Sequence, residues 1–330
     1  MIPNMYLIAG ELMPSVIHVT ARAISKHGLS IFNDHSDVMA CRQTGFAMLC
    51  SANVQEVGDF ALVSHIATLT SRVPFMHFFD GWRTSSQVEK IHKIPVEDID
   101  KVYPSELLDQ NLRSHALNPN TPFSRGLGYR PDIFFQAGAA SKRFFDACPE
   151  HVIEAFARVE SITGRHYRPY MYHGAPDADR LCVLMGSAAQ TVEESVDYLN
   201  RLGGKVGVLN VHLYRPWSAK HFLSEVPKTV KRVAVLDKTD EGGAHGNPLF
   251  LDVTATFAES PEFQIEAFTG GVYGIGGKGF LPNMAKAVFD NLAQPLEQVK
   301  RRYDIGINDD VTGRSLEIGP MLDAISPDIT

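Results

Sequence analysis

The sequence predicts an α/β protein made of two three-layer αβα domains with mostly parallel sheets. Three observations lead there. From about residue 168 to 300, short apolar runs alternate with stretches of helical period, and strands separated by helices imply a parallel sheet covered on both faces. A length of 330 residues corresponds to about two domains, and either half is long enough to bury a core. Glycine and proline punctuate the periodic stretches: Gly203 and Gly204 close one helix, and Pro248 stands near the first turn of another.

The first region opens with "VIHVTARAIS", residues 16 to 25, whose apolar and polar residues alternate with the period of a strand. This strand carries Arg22 near its end. A guanidinium is costly to desolvate unless a carboxylate, a phosphate or an anionic ligand meets it, so Arg22 is either salt-bridged to a neighbour or solvated, or it is a site for a substrate carboxylate. "SANVQEVGDFALVSHIATLTSR" offers an Asn53 cap, Glu56 in the first turn and apolar residues at Leu62, Ile66 and Leu69, which predicts a helix. "VPFMHFFDGWRTS" reads as a buried strand ending in the polar turn of Asp80, Gly81 and Arg83. Arg22 and Arg83 would then lie near the carboxyl ends of strands, the edge where open α/β sheets bind ligands. Residues 92 to 135, rich in Pro, Asn and charge, predict a long irregular excursion with one weak helix around Glu106 to Leu112. A helix from about Pro149 to Thr163 follows, and "GRHYRPY" reads as a connector.

The second region is plainer. "RLCVLMGS", "KVGVLNVHLYRP", "KRVAVLDKTD" and "FQIEAFTGG" are four strands. Between and after them lie helices in "AAQTVEESVDYLNRLGG", in "SAKHFLSEVPKTV" with an interruption at Pro227, in "NPLFLDVTATFAES", and from about Pro282 to Leu292.

Composition narrows the function. The chain is 44% hydrophobic and 21% charged with a net charge of −7, and both signs are scattered, so no basic stripe marks a nucleic-acid partner. The N-terminal stretch lacks the basic region and cleavage pattern of a signal peptide, and no run of about 18 apolar residues predicts a membrane span, so a cytoplasmic protein is expected. Cys41, Cys50, Cys148 and Cys182 are widely spaced with no C-x-x-C, a set that fits reduced thiols and builds neither a zinc site nor an iron–sulfur cluster. "GIGGKG" (Gly274, Gly276, Gly279) matches G-x-G-x-x-G formally, but it follows the last strand of its region instead of opening the first βαβ unit, so it predicts a Gly-rich loop and not an NAD site. "DKTDEGGAHGNP" at a strand's carboxyl end is either a ligand loop or a turn tolerating positive φ. "GSAAQT" lacks the nucleophile-elbow pattern. His18, His35, His65 and His77 are not at metal-ligand spacing on one element and are read as structural, so no metal ligand and no catalytic residue are assigned.

Longer stretches carry a resemblance. "MIPNMYLIAGELMPSVIHVTARAIS", "FNDHSDVMACRQTGFAMLCSANVQEV", "LVSHIATLTSRVPFMHFFDGWRTSS", "GAPDADRLCVLMGSAAQTVEE", "LYRPWSAKHFLSEVP", "VLDKTDEGGAHGNPLFLDV" and "IGINDDVTGRSL" together resemble the pyruvate:ferredoxin (flavodoxin) oxidoreductase family, in the same order and along essentially all of the chain. The resemblance implies a pyrimidine-binding thiamine-diphosphate domain over 1–165, N-terminally incomplete, a transketolase C-terminal-like domain over 166–300, and over 301–330 the start of a linker to domains absent from the chain. It also implies oxidative decarboxylation of pyruvate to acetyl-CoA and CO2 on thiamine diphosphate with Mg²⁺. Electrons would pass through [4Fe–4S] clusters, held in domains outside this chain, to ferredoxin or flavodoxin, with coenzyme A as acyl acceptor. By the same resemblance the complete enzyme would be a homodimer, while the scattered charge and the lack of a long apolar run predict neither nucleic acid nor membrane as partner. Arg22 matches the family arginine in the "HVTAR" segment that binds pyruvate's carboxylate, whereas Arg83 is read as structural. The family's activating glutamate and Thr-Pro loop lie before the segment matching Met1, so the chain alone is expected to be inactive and to expose a raw strand edge in its first domain. The alternatives are another 2-oxoacid:ferredoxin oxidoreductase, or a noncatalytic subunit or interaction module.

Overall fold

The computed structural model describes residues 1–120, 122 and 128–322; part of the predicted excursion (121, 123–127) and the end of the predicted linker (323–330) lie outside the described residues. The first region contains α1 (Ile2–Gly10), β1 (Val16–Ala21), α2 (Ser36–Ala40), β2 (Ala47–Ser51), α3 (Val54–Ser71), β3 (Phe75–Asp80), α4 (Val96–Val102), α5 (Ser105–His115) and α6 (Pro131–Thr163). The second contains β4 (Tyr170–Gly174), β5 (Arg180–Leu184), α7 (Ala188–Arg201), β6 (Val206–Val211), β7 (Leu213–Arg215), α8 (Ala219–Glu225), β8 (Arg232–Asp237), α9 (Pro248–Ala258), β9 (Ala267–Val272), α10 (Pro282–Ala293) and β10 (Arg302–Asp304).

Two sheets result, with orders β1-β3-β2-β7 and β10-β9-β8-β5-β6-β4. All pairs are parallel except β7 with β2 and β4 with β6. The α/β class and the four principal strands of the second region agree with the reading from sequence. Five details differ. "KVGVLNVHLYRP" is not one strand: after Val211 the chain leaves the second sheet, and Leu213–Arg215 pairs antiparallel with β2 of the first. That strand closes one edge of the first sheet, while β1 forms the other and pairs only with β3 among the described residues. The supposed connector ends in β4, and a short β10 lies in the stretch read as linker. The excursion holds two helices, and α6 begins at Pro131, with Pro149 inside it. Pro131 occupies the first turn, where a missing N–H costs nothing. The interior Pro149 removes one helical bond, but Cys148, Val152, Ala155, Phe156 and Val159 are buried along the same helix, which packs lengthwise on α3, and that burial outweighs the loss of about 3 kcal/mol.

The α3 start behaves as its sequence predicts. Asn53 Oδ1 accepts the Glu56 N–H at 2.9 Å, and Glu56 Oε2 accepts the Ala52 N–H at 2.6 Å, a reciprocal cap. Asn53→Ala is expected to lower unfolding free energy by about 1 kcal/mol in denaturant titrations, and an unchanged midpoint would show the cap to be redundant. Phe60 on α3 meets Phe156 at 5.1 Å and Tyr167 at 5.0 Å between ring centroids, both edge-on, which fixes α3 against α6.

In the second sheet the chain runs outward from β5 to β6, then returns to the other side of β5 with β8. The carboxyl ends of β5 and β8 therefore form a switch point, the crevice where α/β sheets bind ligands. The carboxyl ends of the first sheet face it.

Candidate functional site

Parallel registration of β1 on β3 pairs Ala21 with Asp80, so the residues that follow, Arg22 and Gly81, come off the sheet side by side. The Gly81 N–H donates to the Ala21 carbonyl at 3.0 Å. Any Cβ at Gly81 would stand 2.7 Å from that oxygen and 3.0 Å from Arg22 Cγ, so glycine is required for the approach. The Arg22 N–H donates to Asp37 Oδ2 at 2.9 Å, and its guanidinium carbon lies 5.7 Å from the centroid of the Trp82 ring. The side chain is exposed, and no carboxylate among the described residues pairs with it. Of the readings open for Arg22 from sequence, the neighbouring salt bridge is therefore not the one realised.

Asp80, one residue before Gly81, has no exposed surface and receives groups from both regions. Its Oδ1 meets His35 Nε2 at 2.7 Å. Its Oδ2 meets Lys238 Nζ at 2.7 Å and the Ser187 N–H at 3.2 Å, and the Ser187 hydroxyl donates to the same oxygen. Ser187 follows β5 and Lys238 follows β8, so the switch-point crevice of the second sheet is filled by a carboxylate of the first region. Burial alone would raise the Asp80 pKa, but the Lys238 ammonium and the His35 ring beside it hold it far below the usual carboxylate range. His35, read as structural, is tied to Asp80 through Nε2 and to the Lys238 carbonyl through its main-chain N–H.

The two loops singled out by sequence surround this contact. In "DKTDEGGAHGNP", Asp237 accepts the Leu249 and Phe250 N–H groups at the start of α9 at 3.0 and 3.1 Å, while burial pushes its pKa up to about 7. Glu241 pairs with Arg42 at 2.9 Å and the Asp240 carbonyl accepts from Lys26, so the loop docks on the first region. In "GIGGKG", a Cβ at Gly277 would stand 2.6 Å from Phe32 Cβ, and the Gly276 N–H donates to Asp34 Oδ2 at 3.3 Å. These glycines serve close packing between the regions. A cleft of about 670 Å³ opens beside them, lined by Trp82, Arg83, Gln190, Lys238, Tyr273 and Lys278 among others. Arg83, read as structural, is exposed at its wall, with Nη2 3.5 Å from the position a Gly279 Cβ would take.

Sequence reasoning singled out Arg22 and the two strand ends but missed the partnership of Asp80 with Lys238. The available signal was a pair of oppositely charged residues, each at the end of an apolar strand, in "FFDG" and "VLDK". Among the described residues no group of three His, Cys, Asp or Glu is placed to hold a metal ion, and no helix is long and apolar enough to cross a membrane.

Comparison with known proteins shows the family. Residues 1–157 match the family described as "Pyruvate flavodoxin/ferredoxin oxidoreductase, thiamine diP-bdg", and residues 178–284 match "Pyruvate:ferredoxin oxidoreductase core domain II". The chain is 53% identical over 323 residues to a pyruvate:ferredoxin oxidoreductase of Moorella thermoacetica, which covers 98% of this chain and 27% of that protein, so it spans about a quarter of that relative's length. It is 49% identical over 320 residues to a pyruvate-flavodoxin oxidoreductase of a Nostoc species, covering 97% of this chain and 78% of the other. A 2-oxoglutarate:ferredoxin oxidoreductase from Magnetococcus marinus, solved with 2-oxoglutarate, coenzyme A and succinyl-CoA bound, shares the fold at a TM-score of 0.53 and 15% identity, over 88% of this chain and 52% of that one. On these matches the chain belongs to the pyruvate:ferredoxin/flavodoxin oxidoreductase family.

Proposed function

We propose that this chain supplies the substrate-carboxylate arm of a pyruvate:ferredoxin or pyruvate-flavodoxin oxidoreductase, in which Arg22 binds pyruvate. The whole protein would oxidatively decarboxylate pyruvate to acetyl-CoA and CO2, passing electrons to ferredoxin or flavodoxin, as a cytoplasmic homodimer. The observation that carries this reading is the exposed Arg22 guanidinium at the carboxyl ends of β1 and β3, which no protein carboxylate neutralises among the described residues. A planar guanidinium presents two parallel N–H groups to a carboxylate and fixes both its position and its plane.

An unpaired cation at a strand end suits a 2-oxoacid carboxylate. The roles derived for this chain stop at the substrate. Arg22 would hold pyruvate by its carboxylate and orient the adjacent carbonyl for attack. Because that carboxylate leaves as neutral CO2, the contact weakens as the reaction proceeds, so Arg22 acts in binding and orientation more than in lowering the barrier.

The test is steady-state reduction of ferredoxin or flavodoxin by the whole protein containing this segment. Charge-assisted hydrogen bonds of this kind are worth about 1.5–3 kcal/mol, so Arg22→Ala should raise the pyruvate KM on the order of 10- to 100-fold with a smaller change in kcat. An unchanged KM would remove Arg22 from the site, and a preference for 2-oxoglutarate over pyruvate would move the substrate within the 2-oxoacids.

A further inference from the structure

Arg22 does not hold its own position. Two segments of the first region determine it, and both are tied to one residue of the second. The first segment is the turn after β3. Gly81 lies against Arg22 Cγ, and Trp82, whose ring flanks the guanidinium, sits at φ +62°, a left-handed conformation that a bulky residue holds only where its surroundings enforce it. The Asp80 carbonyl accepts the Thr84 and Ser85 N–H groups at 3.0 and 3.1 Å, and Ser85 Oγ accepts the Trp82 N–H at 2.8 Å, so the turn is pinned at Asp80. The second segment is the start of α2, where Asp37 accepts the Arg22 N–H at 2.9 Å and Ser36 Oγ accepts the Ile24 N–H at 2.8 Å.

Lys238 reaches both. Its ammonium binds Asp80 Oδ2 at 2.7 Å, and its main-chain carbonyl accepts the His35 N–H, directly before α2, at 2.8 Å. His35 closes the loop by pairing with Asp80 Oδ1. Lys238 is buried, as Asp80 is, so these contacts form at a low local dielectric.

We propose that Lys238 is a positioning residue: through Asp80 it holds the Gly81–Trp82 turn against Arg22, so that the second region sets the geometry of the cation on the first. Its value to catalysis rests on the reading of Arg22 as the pyruvate ligand; its effect on the Arg22–Trp82 pair does not.

The experiment exploits the fact that the chain has only two tryptophans, Trp82 and Trp217. In a Trp217→Phe background, Trp82 alone reports the turn, by emission maximum and by acrylamide quenching of the purified chain. Arg22→Ala calibrates the signal. Lys238→Met should shift emission and increase quenching in the same direction, whereas Lys238→Arg, which keeps the charge, should stay near the parent. Because Lys238→Met strands a buried carboxylate and could unfold the chain, Asp80→Asn with Lys238→Met removes both charges together, and it should release Trp82 in a chain that still unfolds cooperatively. A folded single or double variant with parental Trp82 quenching overturns the proposal, as does an Arg22→Ala variant with no Trp82 response. In the whole protein, Lys238→Met or the double variant should raise the pyruvate KM on the order of 10-fold. If Trp82 responds to Lys238 while Arg22→Ala leaves that KM unchanged, positioning stands and the pyruvate reading of Arg22 falls.

Discussion

Lys238→Met is expected to lower the unfolding free energy by about 3–5 kcal/mol, and adding Asp80→Asn is expected to restore most of that loss. The single variant leaves a carboxylate with no exposed surface facing an apolar side chain, since Lys238 is itself only 6% exposed. Desolvating that charge costs several kcal/mol once its partner is gone, and the remaining contacts from His35 and Ser187 offset only part of it. The double variant removes the charge from both sides, and the amide oxygen introduced at position 80 can still accept from Ser187. Asp80, held far below its ordinary pKa of 3.8, contributes stability that is present above about pH 4 and is lost as pH falls further, so the comparison belongs near pH 7. Urea titrations of the wild-type chain, the two single variants and the double form a closed cycle. A double variant no more stable than Lys238→Met would mean that the loss comes from packing around the lysine stem, and the charge pair would then have no special weight.

The same pair shows where sequence reasoning reached its limit. Each partner was visible locally: Asp80 and Lys238 both stand at the ends of apolar strands whose boundaries were legible from composition and turn residues. Their meeting was not, because it spans 158 residues and depends on two sheets facing each other by their carboxyl edges. The helices α7 and α9 were legible because local signals agree with tertiary packing, with the glycines at 203 and 204 ending one and Pro248 beginning the other. The departure of β7 was not, since nothing in "VLNVHLYRP" tells a strand that continues from one that changes sheets at His212. The early start of α6 was missed because Pro149 is a strong stop signal locally, and the buried face that overrides it is supplied by α3. Arg22 was legible as an anomaly on a strand; that its guanidinium meets no carboxylate among the described residues shows only in the fold.

His77 carries the second large effect, and here the sign decides the experiment. The ring is fully buried on β3, with Nε2 at 2.8 Å from Ser51 Oγ and Nδ1 at 2.9 Å from His18 Nδ1. Burial first, and then the neighbouring His18 and His65, pushes its pKa down to about 3, while His18 on β1 and His65 on α3 are lowered as well, chiefly by burial. Between about pH 6.5 and 3 the unfolded chain therefore takes up a proton at this position that the folded chain refuses. Stability from His77 is complete above pH 6.5 and declines as pH falls, by about 1.4 kcal/mol per pH unit. The overall profile will not show this alone, because Asp237 titrates oppositely. With its pKa raised to about 7, Asp237 is protonated in the folded chain and ionised in the unfolded one down to about pH 4, which favours folding as pH falls through the same window. Opposed proton terms coexist in this window, so the slope of the wild-type profile does not measure His77 alone. The difference between wild type and His77→Gln isolates one of them: the advantage of the wild type should shrink by about 3 kcal/mol between pH 6 and pH 4. A difference that stays constant across that window in urea titrations would mean that His77 takes up its proton in the folded chain as readily as in the unfolded one.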